Sequence, residues 1–260
     1  GNWSGTNAQV TGPGNVLFTS PIATHSGTTT FFGIVSVASG ANLNTSNSLA
    51  LANGASLMHG VGTIGAGGSI TGNVRIRRSG ANNVLSYNFW SSPITSATTS
   101  VLSGNRYMYD PNQATGSDVV GLRDGWIAPG SFMTPGRGYI ATGTANASFI
   151  GIPNNGNISY GPLALGTFTN FNLVGNPYPS GINANSFLSA NPQILGGAIY
   201  FWDDDNTSGT GYAASDYGVY NGVGFVGPNS GKSFNGNIGS CQGFFIQASN
   251  TNPVTFTNSM

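Results

Sequence analysis

The acidic run at residues 203–206, Asp-Asp-Asp-Asn, is the densest group of metal-binding side chains in this sequence, and Asp216 follows it closely. Ca²⁺ takes six to eight oxygen ligands, which carboxylates at alternate positions of a loop can supply. We therefore expect Asp203, Asp205 and Asp216 to form a weak structural Ca²⁺ site, and the sequence suggests no other cofactor. The spacing does not match an EF-hand loop, and a solvated hairpin loop closed by Asx turns is the alternative interpretation.

Catalytic residue patterns are much weaker. A glycosidase needs a pair of carboxylates about 5–10 Å apart, and this chain has seven Asp and no Glu. Asp110 and Asp203 end equivalent strands of an internal duplication, which explains their similarity without a catalytic role. His25 and His59 are distant in sequence from every Asp, and no GxSxG motif is present. We therefore predict a protein that is not an enzyme.

Aromatic residues are frequent enough to form a surface on which sugars could stack. The candidates are Trp90, Tyr107, Tyr109, Trp126, Tyr178, Tyr200, Trp202 and Tyr212. Packing between sheets is the preferred interpretation, because Tyr107 and Tyr109 share one strand face, as do Tyr200 and Trp202. Tyr212 and Tyr217, close to the acidic loop, are the better candidates for contact with a ligand.

Composition excludes several kinds of partner. Only 5% of the residues are charged, the formal net charge is zero, and Lys232 is the single lysine. Such a chain has no basic surface for nucleic acid, and it has no run of 18 apolar residues that would span a membrane. Cys241 is the only cysteine, so we expect a buried thiol, with an intermolecular disulfide as the alternative.

The elements that must position these residues are strands. With 41 Gly and 13 Pro spread through 260 residues, hardly any window is free of a helix breaker, and apolar residues often alternate with polar ones. Asn-Gly pairs at residues 53–54, 155–156, 221–222 and 235–236 predict tight turns. The fold class is therefore all-β.

The N-terminal part contains a short repeat. Residues 35–43 align with residues 49–57 at an offset of 14, and a degraded third copy runs through residues 67–76. A short period of this kind predicts β-solenoid rungs in residues 31–84. The polar residues 1–30 before them are expected to form an extended N-terminal arm, with an edge strand as the alternative.

The rest of the chain contains two pseudo-repeats, in residues 85–160 and 161–260. Each begins with an aromatic-rich strand that a proline stops, at Pro93 and at Pro177. An aromatic strand ending in Asp follows, then a Gly with an aromatic strand, and finally a strand that contains Phe. Each pseudo-repeat is expected to form a β-sandwich or jelly-roll-like unit.

Several stretches resemble the secreted cell-surface and adhesin-like proteins of Bacteroidota that use the type IX secretion system. The stretches are SGANLNTSNSLALANGASL, ITGNVRIRR, YNFWSSPI, LVGNPYPS, IYFWDD, GFFIQA and VTFTN. The resemblance covers roughly residues 30–258, and it implies an extracellular location. In that family such a region precedes a C-terminal sorting domain.

We expect a non-enzymatic extracellular structural or adhesive protein, a subunit of a surface filament or a segment of a surface adhesin. Low charge and open strand edges favour association with copies of itself or with other cell-surface components. The residues expected to assemble are Val16, Leu17 and Phe18 in the arm and Val254 and Phe256 in the closing strand. A carbohydrate-binding module that recognises surface glycans is the alternative, followed by a polysaccharide-degrading enzyme.

Overall fold

The computed structural model describes residues 2–12, 14–61, 67–80, 86–116, 124–143, 146–203, 214–228 and 230–260. Strands dominate this part of the chain, which confirms the all-β class. Glycines 54, 156, 222 and 236, the second residues of the four Asn-Gly pairs, all have positive φ, as tight turns require. No helix among the described residues is long and apolar enough to cross a membrane.

The N-terminal part is a parallel β-solenoid with three faces. Its strands are β1 (Trp3–Ser4), β2 (Ala8–Val10), β3 (Asn15–Phe18), β4 (Ala23–Ser26), β5 (Thr29–Phe31), β6 (Ile34–Ala38), β7 (Asn42–Asn44), β8 (Leu49–Leu51), β9 (Ser56–Val61), β10 (Ser69–Thr71) and β11 (Val74–Ser79). They stack in the orders β1-β4-β7-β10, β2-β5-β8-β11 and β3-β6-β9. Alternate residues point inward and fill the interior, as Val74 and Ile76 do on β11.

Residues 1–30 form strands of the solenoid, as the edge-strand alternative proposes, and not a separate extended arm. This segment forms the first rung, β1 to β3, and the first two strands of the second rung. Val10, Val16 and Phe18 pack against the solenoid core. The segment looks polar because its strands are only two to four residues long, too short for an alternating pattern to show.

The offset of 14 residues is wrong as the period of the solenoid. It pairs Val35 with Leu49, whereas in the structure Val35 lies opposite Leu57. Residues 35 and 49 belong to different faces, each of which leads into a similar corner. The N–H of Ala41 donates to the carbonyl of Ala38, and that of Ala55 donates to the carbonyl of Ala52. The sequence match therefore compares two corners of the solenoid, not two rungs.

The remaining elements include two larger sheets that face each other. They are β12 (Tyr87–Trp90), β13 (Arg106–Tyr109), β14 (Trp126–Ile127), β15 (Tyr139–Thr142), β16 (Asn146–Gly151), β17 (Ile158–Tyr160), β18 (Phe171–Gly175), β19 (Ile182–Asn183), α1 (Ala184–Ala190), β20 (Ile194–Trp202), β21 (Tyr217–Tyr220), β22 (Phe225–Val226), β23 (Asn237–Ile238), β24 (Gly243–Ala248) and β25 (Val254–Phe256). The sheet orders are β12-β15-β13-β14 and β18-β24-β20-β21-β22. Each pseudo-repeat thus supplies one sheet, with its first strand beside its last, rather than a complete sandwich.

The closing strands of the two pseudo-repeats are used differently. Strand β16 leaves the first sheet and pairs antiparallel with β11, which extends one face of the solenoid. Strand β25 pairs with β17 in a separate two-stranded sheet. The first sheet therefore packs its outer face on the solenoid core, whereas the second sheet packs its outer face on α1 and β25.

Reciprocal contacts join equivalent positions of the two sheets. The N–H of Ser91 donates to the carbonyl of Cys241 at 2.8 Å, and the N–H of Gly175 donates to the carbonyl of Gly136 at 3.0 Å. Ser91 directly follows β12 and Gly175 is the last residue of β18, the first strands of the two sheets. Both Gly136 and Cys241 have positive φ, 82° and 64°. The two halves are therefore related by a local pseudo-twofold arrangement.

The two proline turns meet at Asn154, which is almost completely buried. Its side-chain amide donates to the carbonyl of Ser92 at 3.0 Å and to that of Pro177 at 2.8 Å. Its backbone N–H donates to the carbonyl of Pro93 at 2.9 Å. One asparagine thus holds both turns together, and the sequence contains no signal that singles it out from its many polar neighbours.

We expect Asn154→Ala to lower the free energy of unfolding by about 2 kcal/mol, because it leaves buried carbonyls without their donors. Urea denaturation of the whole chain measures the change. Asn157→Ala is the matched control, since Asn157 is exposed on the same loop and should change stability by no more than about 0.5 kcal/mol. Equal stability of the two variants would contradict this role for Asn154.

Candidate functional site

The acidic loop is only partly described. Asp203 forms an ion pair with Lys232 and accepts a hydrogen bond from the hydroxyl of Ser230. Its backbone N–H donates to the carbonyl of Asp216, whose side chain is 4% exposed. Asp205 lies outside the described residues. Lys232 thus supplies the positive charge beside Asp203. Among the described residues there is no group of three or more His, Cys, Asp or Glu side chains that could hold a metal ion. The Ca²⁺ site stays a prediction.

The other described carboxylates have local structural partners. Asp110 accepts a hydrogen bond from the N–H of Asn112 at 3.0 Å and caps the 3-10 helix Pro111–Gln113. Asp124 accepts hydrogen bonds from Thr115 and Gly116, and these contacts lower the pKa of its carboxyl group, the backbone N–H of Thr115 contributing most. Both groups close turns, which accounts for them without catalysis.

The two histidines lie in the solenoid. His25 is fully buried, and its Nδ1 lies 3.0 Å from the hydroxyl of Ser48. The Nε2 atoms of His25 and His59 are buried and have no hydrogen-bond partner among the described residues. Burial lowers the pKa of His25 and lowers that of His59 to about 4. Both rings are therefore neutral at pH 7.

Cys241 lies at the wall of a cavity of about 350 Å³ between the solenoid and the two sheets. Its thiol is buried, as expected, and burial raises its pKa to about 11. Arg78 lines the same cavity and donates hydrogen bonds to the carbonyls of Ala52, Ala55 and Pro179. A thiol in this position is not exposed to a second chain, which disfavours an intermolecular disulfide.

The first rung of the solenoid presents three strand edges without a strand partner among the described residues. Strands β1, β2 and β3 each stand at the end of their sheet. Leu17 is 49% exposed, Val16 is half-buried, and Phe18 is buried. Of the three residues predicted to assemble from this segment, Leu17 is therefore the most accessible, and the other two pack the rung.

The hydrogen bonds of β2 show which backbone groups face outward. The N–H of Ala8 donates to the carbonyl of Thr28 at 2.9 Å, and the carbonyl of Val10 accepts from the N–H of Phe32 at 3.0 Å. Because backbone groups alternate in direction along a strand, the N–H and carbonyl of Gln9 point away from the second rung. These groups can pair with another strand.

The closing strand does not offer such an edge. Val254 and Phe256 are fully buried in β25, which pairs with β17 on one side. On its other side the amide of Asn191 donates to the carbonyl of Thr255 at 2.9 Å and accepts from its N–H at 2.7 Å. A side-chain amide already takes the place of a neighbouring strand, so the prediction that Val254 and Phe256 bind a neighbour gains no support from the structure.

Aromatic rings fill the space between the two sheets, as the alternation of Tyr107 with Tyr109 and of Tyr200 with Trp202 predicts. Phe245 lies at the centre, with ring centroids 5.1 Å from Tyr109, 5.9 Å from Trp126 and 6.2 Å from Phe171. Most of these contacts are perpendicular, the favourable geometry for aromatic pairs.

At one end of the interface this aromatic layer reaches the surface and lines a cavity of about 510 Å³, which we call the aromatic groove. The described residues around it are Tyr109, Asp124, Trp126, Phe171, Tyr200, Ala214, Tyr217, Val219 and Phe245. Its rings come from both sheets, so the groove exists only when the two pseudo-repeats pack together.

The sequence predicts part of this groove. Tyr217, chosen as a ligand candidate, lines the groove, and burial raises the pKa of its hydroxyl. Tyr212 lies outside the described residues. Tyr109, Trp126 and Tyr200 pack between the sheets, as their sequence pattern predicts, and they also line the groove. The sequence shows which rings share a strand face but not where the two sheets separate.

Comparison with known proteins gives one match. Residues 25–260 fit a family model described as "Domain of unknown function (DUF8693)". No curated protein and no solved structure matches the chain at a significant level. Since the model spans most of the described fold, from the second rung of the solenoid through β25, the chain belongs to the DUF8693 family.

Proposed function

We propose that this chain is a non-enzymatic structural or adhesive protein of the cell exterior that associates through the open strand edges of its first solenoid rung. The observation that carries the proposal is the set of three strand edges at β1, β2 and β3, which have no strand partner among the described residues. Exposed edges of this kind are templates for adding strands. The extracellular location rests on the resemblance to type IX-secreted surface proteins.

A second copy of the chain is the partner that we propose. Turned about a twofold axis, it presents the same rung, so strands of the two copies can pair antiparallel. The very low charge of the chain leaves little long-range repulsion between copies. At the opposite end of the solenoid, β16 pairs with β11, the N–H of Leu57 donates to the carbonyl of Pro179, and Asn155 donates to that of Gly68, whereas β10 has no further strand partner among the described residues. Association through the rung therefore gives pairs, and growth of a filament needs a further contact.

The described carboxylates and histidines are compatible with a role outside catalysis. Asp110 and Asp124 close turns, and Asp203 is paired with Lys232. The histidine rings are held in the solenoid, apart from these carboxylates in the fold. Such groups stabilise the chain locally, which favours a structural protein over an enzyme.

We expect Gln9→Pro to abolish self-association while the chain stays folded. Proline removes the outward N–H of residue 9, and no hydrogen bond within the described chain is lost by this change. Sedimentation velocity over a wide range of protein concentration measures association, and circular dichroism reports the fold.

Gln9→Ala is the matched control, because it removes the same side chain but keeps the backbone donor. It should associate as the unchanged chain does. A chain that stays monomeric at every concentration, or a folded Gln9→Pro variant that still associates, would contradict pairing through this edge.

A further inference from the structure

The aromatic groove has the features of a ligand site rather than of ordinary packing between sheets. Phe245 at its base is buried, whereas Tyr109, Trp126, Phe171, Tyr200 and Tyr217 around it are only half-buried. A cavity of about 510 Å³ falls within the range of roughly 300–1,000 Å³ that is usual for small-molecule sites. We propose that this groove binds a neutral oligosaccharide, a function independent of association through the solenoid rung.

The rings define the apolar part of the site. Pyranose rings carry a face of C–H groups that packs on aromatic rings, and tyrosine and tryptophan add a polar group to an apolar body. Phe171 and Tyr200 contact each other from one sheet, with centroids 5.2 Å apart. Tyr109 and Trp126 contact each other from the opposite sheet, with centroids 5.1 Å apart. A sugar in the groove can therefore contact aromatic rings on two walls.

Charge selects a neutral ligand. Asp124 is the charged side chain among the described residues that line the groove, and its hydrogen bonds to Thr115 and Gly116 fix its carboxylate there. These described residues include no Lys or Arg, so among them a phosphate, a sulfate or an acidic sugar would meet the negative charge of Asp124 without a compensating positive charge. Hydroxyl groups of a neutral sugar can instead donate to the carboxylate of Asp124 and exchange hydrogen bonds with tyrosine hydroxyls.

Isothermal titration calorimetry of the whole chain with cellotetraose, xylotetraose, mannotetraose and chitotetraose tests the proposal. We expect saturable binding of at least one of these neutral tetrasaccharides. Tyr200→Leu, which keeps an apolar side chain but removes a ring from the groove, should weaken that binding at least tenfold. Phe171→Leu should do the same, and it provides a second variant if Tyr200→Leu does not fold.

Tyr107→Leu is the matched control. Tyr107 belongs to the same aromatic layer, where its ring contacts Tyr87 with centroids 6.1 Å apart, but it does not line the groove. Its substitution should change the affinity less than twofold. Failure of the folded chain to bind any of the four sugars would overturn the proposal, as would binding that survives in folded Tyr200→Leu and Phe171→Leu variants. Neither result bears on association through the rung, which sedimentation measures separately.

Discussion

Replacing Arg78 with methionine should lower the free energy of unfolding by about 3 kcal/mol, because several hydrogen bonds from one buried charged group are lost together. The guanidinium donates to the carbonyls of Ala55 and Arg77, both at 2.7 Å, and to those of Ala52 at 3.3 Å and Pro179 at 3.4 Å. Ala52 and Ala55 form a corner of the solenoid, and Pro179 follows the second proline turn. Arg78 therefore joins the solenoid to the second pseudo-repeat.

Methionine is chosen because its side chain is similar in length to that of arginine but has no hydrogen-bond donor. The loss of hydrogen bonds therefore dominates the change in the free energy of unfolding. Burial lowers the pKa of Arg78, but a guanidinium stays charged at neutral pH. Guanidinium chloride denaturation at pH 7 measures the effect. Arg77→Met is the control, since Arg77 is exposed on the same strand and should cost no more than about 0.5 kcal/mol. An Arg78→Met variant as stable as this control would show that the carbonyls are satisfied in another way.

Acidification from pH 7 to pH 4 should destabilise the chain by about 3 kcal/mol through His59 alone, because 1.36 kcal/mol corresponds to each unit of pKa difference. The pKa of His59 is about 4 in the folded chain and near 6.5 when unfolded. Above pH 6.5 the ring is neutral in both the folded and the unfolded state, so His59 does not lower the free energy of unfolding. As the pH falls below 6.5 the unfolded state binds a proton that the folded state does not, and the loss continues until the pH reaches about 4.

His25 acts in the same direction, since burial lowers its pKa as well. The chain has no Asp or Glu before Asp110, so the solenoid strands carry no carboxylate side chain that could stabilise a protonated ring. Urea denaturation at pH 7, 5 and 4 should show the decline, with about 2 kcal/mol already lost at pH 5. His59→Gln should remove most of this dependence between pH 6.5 and 5, and an unchanged decline in that variant would contradict the assignment.

The sequence predicts the class of this fold because its local signals agree. Frequent Gly and Pro residues exclude long helices, and aromatic residues at alternate positions, such as Tyr107 and Tyr109, indicate one buried strand face. The duplication is visible because Pro93 and Pro177 stop equivalent strands. These signals depend on neighbouring residues, so they can be read without knowing which segments meet in space.

Features that depend on contacts between distant segments cannot be predicted from these local signals. The three faces of the solenoid have similar patterns, so the alignment of Val35 with Leu49 cannot distinguish a corner from a rung. The edge of β25 is closed by Asn191, about sixty residues earlier in the chain. The aromatic groove depends on where two sheets diverge, a property of their packing and not of any one strand.

The reciprocal contacts at Cys241 and Gly136 also bear on the history of the chain. In a symmetric homodimer, residue i of one protomer contacts residue j of the other, and j contacts i; here the two halves of one chain do so, as in a fused dimer. When both halves belong to one chain, the sequence of each half can change independently of the other. Gly136 keeps its left-handed conformation without cost, whereas Cys241 holds the equivalent conformation at a cost of about 1–2 kcal/mol. The same freedom lets the outer face of one sheet pack on the solenoid and that of the other sheet pack on a short helix.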